Sequence, residues 1–127
     1  MKIKSLYLNR ITTLKTELKN TESYVSKRHT IINEYVDIIQ EVLSELKTIS
    51  NDENIEPHIK YIQLNEKTTD IEKITAKIEE LYNDINKKVV HVNKEKALLI
   101  QNCIEDHPNL SEDAIVTELN KLLFEVQ

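Results

Sequence analysis

An all-α fold, a long antiparallel helical hairpin of the coiled-coil type with a short C-terminal helix, is what this sequence predicts, on three observations. The 127 residues include no glycine and only two prolines. Apolar residues recur every three or four places over most of the length, and one cluster of turn formers splits that repeat into two stretches of similar size. Glycine normally makes up ~7% of a chain and supplies the positive-φ corners of hairpins and phosphate-binding loops. Its absence excludes a Gly-rich nucleotide loop and argues against any sheet class. A composition 31% charged and 39% apolar, without tryptophan, fits long helices.

The first helix is expected over about 2–49, a stretch with neither proline nor glycine. One edge of its repeat reads Ile11, Leu18, Val25, Ile32, Ile39, Leu46; the other reads Tyr7, Leu14, Thr21, Arg28, Tyr35, Val42, Ile49. A strict heptad advances 3.5 residues per turn against ~3.6 for a relaxed helix, so its seam keeps facing a partner only by supercoiling left-handed. The partner must be a second long helix.

Residues 50–54, Ser-Asn-Asp-Glu-Asn, form the turn cluster, and Asn54 before Pro57 reads as an N-cap with proline in the first helical turn. A second helix follows over about 55–106. Its seam is Leu64, Ile71, Ile74, Ile78, Leu81, Ile85, Val89 or Val92, Leu99 and Cys103, and Pro108 ends it. Asn65, Thr68 and Thr69, weak helix formers, leave its continuity open at that point. Two helices of ~75 Å joined by a short turn should run antiparallel, with residue i beside about 105 minus i.

Ser111 caps a third helix over about 112–125, and Glu112 and Asp113 suit its N-terminal dipole. Ile115, Leu119, Leu122 and Val126 give it one apolar stripe, which is expected to dock over Ile3, Leu8, Leu98, Ile100 and Ile104. The whole of 1–127 reads as a single elongated helical domain.

Apolar surface is left over near the turn. Ile31, Val36, Ile38 and Leu43 widen the first helix's stripe, and Ile59 and Ile62 answer from the second. Left in water, each large aliphatic side chain forfeits ~1.5–3 kcal/mol of burial. They are expected to form an interface, in a homodimer or with a helical protein partner. Within the seam, Thr21, Arg28 and Lys88 interrupt the apolar series, as do Lys67 and Asn102. Such interruptions set register in coiled coils, and Arg28 is expected to pair with Glu79 or Glu80.

Charge is uneven along the chain. Residues 1–30 hold seven basic and two acidic side chains, 31–56 one and seven, and 105–127 one and six. Lys2, Lys4, Arg10, Lys94 and Lys96 at the open end make a candidate anion-binding surface, which the acidic tail is placed to neutralise or mask. These cations are dispersed and the overall charge is −5, which argues against nucleic acid as the main ligand.

His29, His58, His91 and His107 are too far apart along a rod to converge on a metal, and no nucleophile elbow or glycine turn announces an enzyme. No cofactor is expected. Cys103, at helical spacing from Leu99 and Ile100, reads as a small core residue. Lys2, Lys4 and Arg10 break the apolar residues at the N-terminus, unlike a signal peptide, and no run is long enough to span a bilayer, so a cytoplasmic protein is expected. The expected function is therefore a non-enzymatic interaction module, an adaptor, chaperone or assembly factor working through a helical surface. The alternative is an accessory nucleic-acid-binding protein using the basic open end.

Overall fold

The computed structural model describes residues 3–124, without the side chains of residues 4–6. Three helices make up the described chain: α1 (Ile3–Asn51), α2 (Pro57–Asp106) and α3 (Glu112–Phe124), with no strand among the described residues. The expected end of the third helix at residue 125, and Val126, lie outside them. Packing gathers the chain into two compact units, one of Met1–Val25 with Asn86–Gln127 and the other of Ser26–Ile85.

The heptad pattern is written in burial. Every member of both series on α1, from Tyr7 and Ile11 to Leu46 and Ile49, is buried or half-buried. On α2 the seam residues from Leu64 to Cys103 are covered in the same way. α2 is unbroken through residues 65–69, where the Thr68 and Thr69 hydroxyls donate to the carbonyls of Leu64 and Asn65 at 2.9 Å each. Those back-bonds absorb the side-chain oxygens that would otherwise compete with the helix.

Reversal without glycine is built from side chains. Every described residue has a negative φ. α1 closes with the Asp52 amide donating to the Ile49 carbonyl at 3.2 Å, and the Asp52 carboxylate then accepts from the Asn54 amide at 2.9 Å, an Asx turn. The cap of α2 is Glu56, whose carboxylate accepts from the Ile59 amide at 3.1 Å, rather than the expected Asn54. Lys60 Nζ donates back to the Ser50 carbonyl, one of the orphan acceptors at the end of α1.

The loop thus falls at Asp52–Glu56, later than expected, and the register moves with it. In the Ser26–Ile85 unit Glu45 meets Lys67, Tyr35 meets Lys77 and His29 meets Tyr82; in the other unit Tyr24 meets Lys88. Residue i therefore faces about 112 minus i, one heptad beyond the expectation. Arg28, half-buried on the seam, stands level with Asp84 rather than with residue 77.

The unit containing α3 has a full core. Ile3, Tyr7, Ile11 and Leu14 of α1 and Val92, Leu99 and Cys103 of α2 close around Ile115, Leu119 and Leu123 of α3. α3 starts where the Ala114 amide donates to the Ser111 hydroxyl at 3.1 Å, with Glu112 and Asp113 in its first turn and Lys121 in its last. Of the five residues expected beneath it, Ile3, Ile100 and Ile104 join this core, whereas Leu8 and Leu98 stay 49% exposed. α3 seats on the seam itself, which leaves Leu8 and Leu98 on the outer shoulders of α1 and α2 half in water.

α1 kinks at Tyr7, whose φ of −120° and ψ of 19° are not helical. No proline or glycine lies there. The buried Tyr7 ring instead holds its hydroxyl against the Asp106 carboxylate and the Asn102 carbonyl, and the kink turns Ile3 fully into the core. Hydrogen bonding to Asp106, then burial, raises the Tyr7 pKa from 10.0 to about 12. At the same end the His107 Nδ1 bonds the Cys103 carbonyl at 2.8 Å, a side-chain cap on α2.

Two outcomes follow for this unit. Tyr7→Phe is expected to lose about 1.5–3 kcal/mol near neutrality, the worth of a hydrogen bond to a charged acceptor. Because the folded pKa lies above the unfolded one, that stabilisation is complete below pH 10 and disappears as pH rises towards 12. Urea melts of the two proteins should therefore converge across this window. Leu119→Ala is expected to cost about 2–5 kcal/mol and Ile38→Ala less than about 0.5 kcal/mol, compared in the same melts.

Candidate protein-interaction surface

The Ser26–Ile85 unit has two helices where the other has three, and its core is correspondingly thin. Ile32 and Val42 are buried, but Tyr35, Ile39, Leu46 and Ile49 of α1 and Leu64, Ile71, Ile74 and Ile78 of α2 are only half-buried. A seam closed by a single partner helix leaves the flanks of each apolar residue wet.

Beside that seam lie the candidate interface residues, all exposed: Ile31, Val36, Ile38, Leu43, Ile59 and Ile62. They do not form one stripe. Val36 and Leu43 each follow a seam residue, whereas Ile31 and Ile38 each precede one, and at ~100° per residue the two pairs lie on opposite flanks of α1. Ile59 and Ile62 sit beside the turn on the outer side of α2.

Contacts across the hairpin identify the flanks. On the flank of Val36 and Leu43, the rings of His29 and Tyr82 meet edge to face with centroids 6.1 Å apart. On the other, Lys67 Nζ lies 2.5 Å from the Glu45 carboxylate, which raises the lysine's pKa through hydrogen bonding and charge, and Lys77 stands over the Tyr35 ring. Lys67 and Glu45 also border an open groove of about 400 Å³ with Ser44, Thr48 and Ile49.

Sequence reasoning passed over two members of the first flank, Tyr61 and Tyr82, which are 64% and 49% exposed. Tyr82 follows the seam residue Leu81 and Tyr61 lies three heptads before it, and that offset was the available signal.

The polar seam residues take three forms. Lys88 is half-buried with its ammonium over the Tyr24 ring, 5.6 Å from the centroid, a cation–π contact reaching from α2 to α1. Arg28 is half-buried. Thr21 is buried, and its hydroxyl has no hydrogen-bond partner among the described residues.

At the open end, Lys2 and the Lys4 side chain lie outside the described residues. Arg10 stacks over the Tyr7 ring and Lys96 over the Phe124 ring, while Lys94 is exposed. A cavity of about 220 Å³ beside Arg10 is lined also by Glu17 and Glu95, so two carboxylates attend its one guanidinium and an anion gains little there. Cys103 is fully buried, and desolvation raises its pKa. Among the described residues no three His, Cys, Asp or Glu side chains are placed to share a metal ion, and no helix is long and apolar enough to cross a membrane.

Comparison with family models, curated proteins and solved structures finds no match to this chain.

Thr21→Val tests the seam. It keeps the shape and removes a buried hydroxyl that lacks a partner, so denaturant melts should show a gain of about 1 kcal/mol. A loss would mean that the hydroxyl is bonded after all.

Proposed function

We propose that this chain is a non-enzymatic protein-interaction module, an adaptor, chaperone or assembly factor, whose working part is the turn-bearing hairpin. The paired stretches of α1 and α2 act as a coiled coil, a reading supported by the unbroken seven-residue recurrence of covered positions on both helices. The observation that carries the proposal is a contrast in finish. One unit spends a third helix on closing its core, whereas the other leaves Ile31, Val36, Ile38 and Leu43 in water beside a half-covered seam. Scattered exposed aliphatics are ordinary, but Val36 and Leu43, one heptad apart on the flank that also carries Tyr61 and Tyr82, have the composition of a helix-binding surface.

Chemistry at this surface is limited to weak contacts. Tyr61, Tyr82 and the aliphatic side chains offer apolar area with a hydroxyl at its margin, which suits recognition of another protein's helix. Residues 26–85 carry thirteen carboxylates against seven basic side chains, a balance that disfavours nucleic acid as a ligand for this unit.

The test is retention of partners by the immobilised full chain. Replacing Val36, Ile38 and Leu43 together by Glu should leave helicity unchanged by circular dichroism, since all three are exposed. It should reduce bound protein at least tenfold, because each aliphatic burial is worth ~1.5–3 kcal/mol. Equal retention by the two forms would sink the proposal.

A further inference from the structure

We infer that the partner of the Val36–Leu43 flank is the same flank of a second copy of this chain, stacked about a two-fold axis that crosses the helices at the level midway between Ile39 and Gln40. This inference rests on the interaction-module reading above and narrows it to one face and one occupant.

Three observations carry it. The first is charge. The hairpin unit is strongly acidic, so most ways of bringing two copies together press carboxylates against carboxylates. The flank that holds Glu45, Asp70, Lys77 and Asp84 beside its seam, with Glu34 and Glu41 just outside, is of that kind. The opposite flank is not. Stepping by heptads from the His29–Tyr82 contact gives Val36, Leu43 and Ser50 on α1 and Thr75, Thr68 and Tyr61 on α2, all exposed and none an acid or a lysine. Charge returns only at its outer edge, in Lys47, Glu72 and Glu79. An acidic unit that associates with itself needs a face without charge, and this is the face that lacks it.

The second observation is symmetry of content. Val36 and Leu43 lie equally far from the level midway between Ile39 and Gln40. In the observed register Tyr61 and Tyr82 straddle that same level on α2, as do Thr68 and Thr75. A two-fold axis there sets Val36 on Leu43 of the other copy, Thr68 on Thr75 and Tyr61 on Tyr82. Like size meets like size at these three pairs, the requirement of an isologous interface, and only at the ends does a larger side chain, His29, meet a smaller one, Ser50. The like charges brought close are the two Glu72 side chains, at the rim where water screens them.

The third is area. From residue 26 to residue 50 the face is ~36 Å long, and two helices packed ~10 Å apart make it ~20 Å wide, so ~700 Å² per copy is available, close to the ~800 Å² per partner of a standard stable interface. The product is a four-helix bundle that closes the wet side of the thin core.

Sedimentation equilibrium on the full chain decides the matter. Wild type is expected to be dimeric at tens of micromolar, with the dimer tightening at higher salt as long-range repulsion is screened. Leu43→Glu should weaken the dimer at least a hundredfold, and Ile38→Glu, on the other flank, less than threefold, both with unchanged circular dichroism. Gln40→Cys should be joined to its own counterpart by a short bis-maleimide; Cys103, fully buried, stays silent. A monomeric wild type, or a dimer broken by Ile38→Glu and not by Leu43→Glu, overturns self-pairing. If a wild-type monomer still retains a foreign protein that Leu43→Glu releases, self-pairing fails and the interaction-module reading stands; if it retains nothing, both fail.

Discussion

The burial of one residue in every three or four along α1 against its counterpart on α2 is the constraint from which the rest of this structure follows. Helices of 49 and 50 residues expose far more backbone and side chain than their own propensity can stabilise, and each is held by its apolar edge. Where a third helix is supplied, that edge becomes a core in which Ile3, Cys103, Ile115 and Leu119 are fully closed off from water. Where it is not, the same edge is left half-covered, and only Ile32 and Val42 are buried. Each unit is built on the same heptad pattern, and they differ in what lies over it.

Having no glycine, the chain makes its corners from side chains that stand in for backbone partners. Asp52 and Glu56 take up amides at the reversal, Lys60 and His107 answer carbonyls at helix ends, and Ser111 starts α3. Each of these fixes a local direction without any residue entering the left-handed region. Tyr7 extends the same device over a long range, since its bond to Asp106 ties the first turns of α1 to the last turn of α2 and redirects the helix so that Ile3 is buried.

Much of this was legible in the sequence. Three helices, the seam residues and the breaks between helices could all be read, because periodicity and turn chemistry are local signals. Register could not. A slip of one whole heptad leaves every seam residue on the seam, so the series from Ile11 to Leu46 fits a pairing about 105 as well as the observed one about 112, and only the length of the Asp52–Glu56 loop separates them. The docking of α3 was half legible for a similar reason: its stripe was plain, but whether it would lie on the seam or on the shoulders at Leu8 and Leu98 depends on three helices at once. Ile31, Val36, Ile38 and Leu43 were visible as surplus apolar residues, yet a count of apolar residues per heptad merges two flanks that a difference of two positions drives apart.

That separation gives the exposed surface its meaning. On one flank Lys67 holds Glu45 and Lys77 covers Tyr35, and the aliphatics Ile31 and Ile38 are islands among charges. The other flank keeps aromatic and aliphatic side chains together, with threonines between them and charge at the rim. Desolvating the first means stripping water from ions that gain nothing new, while desolvating the second removes water mainly from carbon. A hairpin divided this way has one side where charge dominates the exposed surface and one where carbon does.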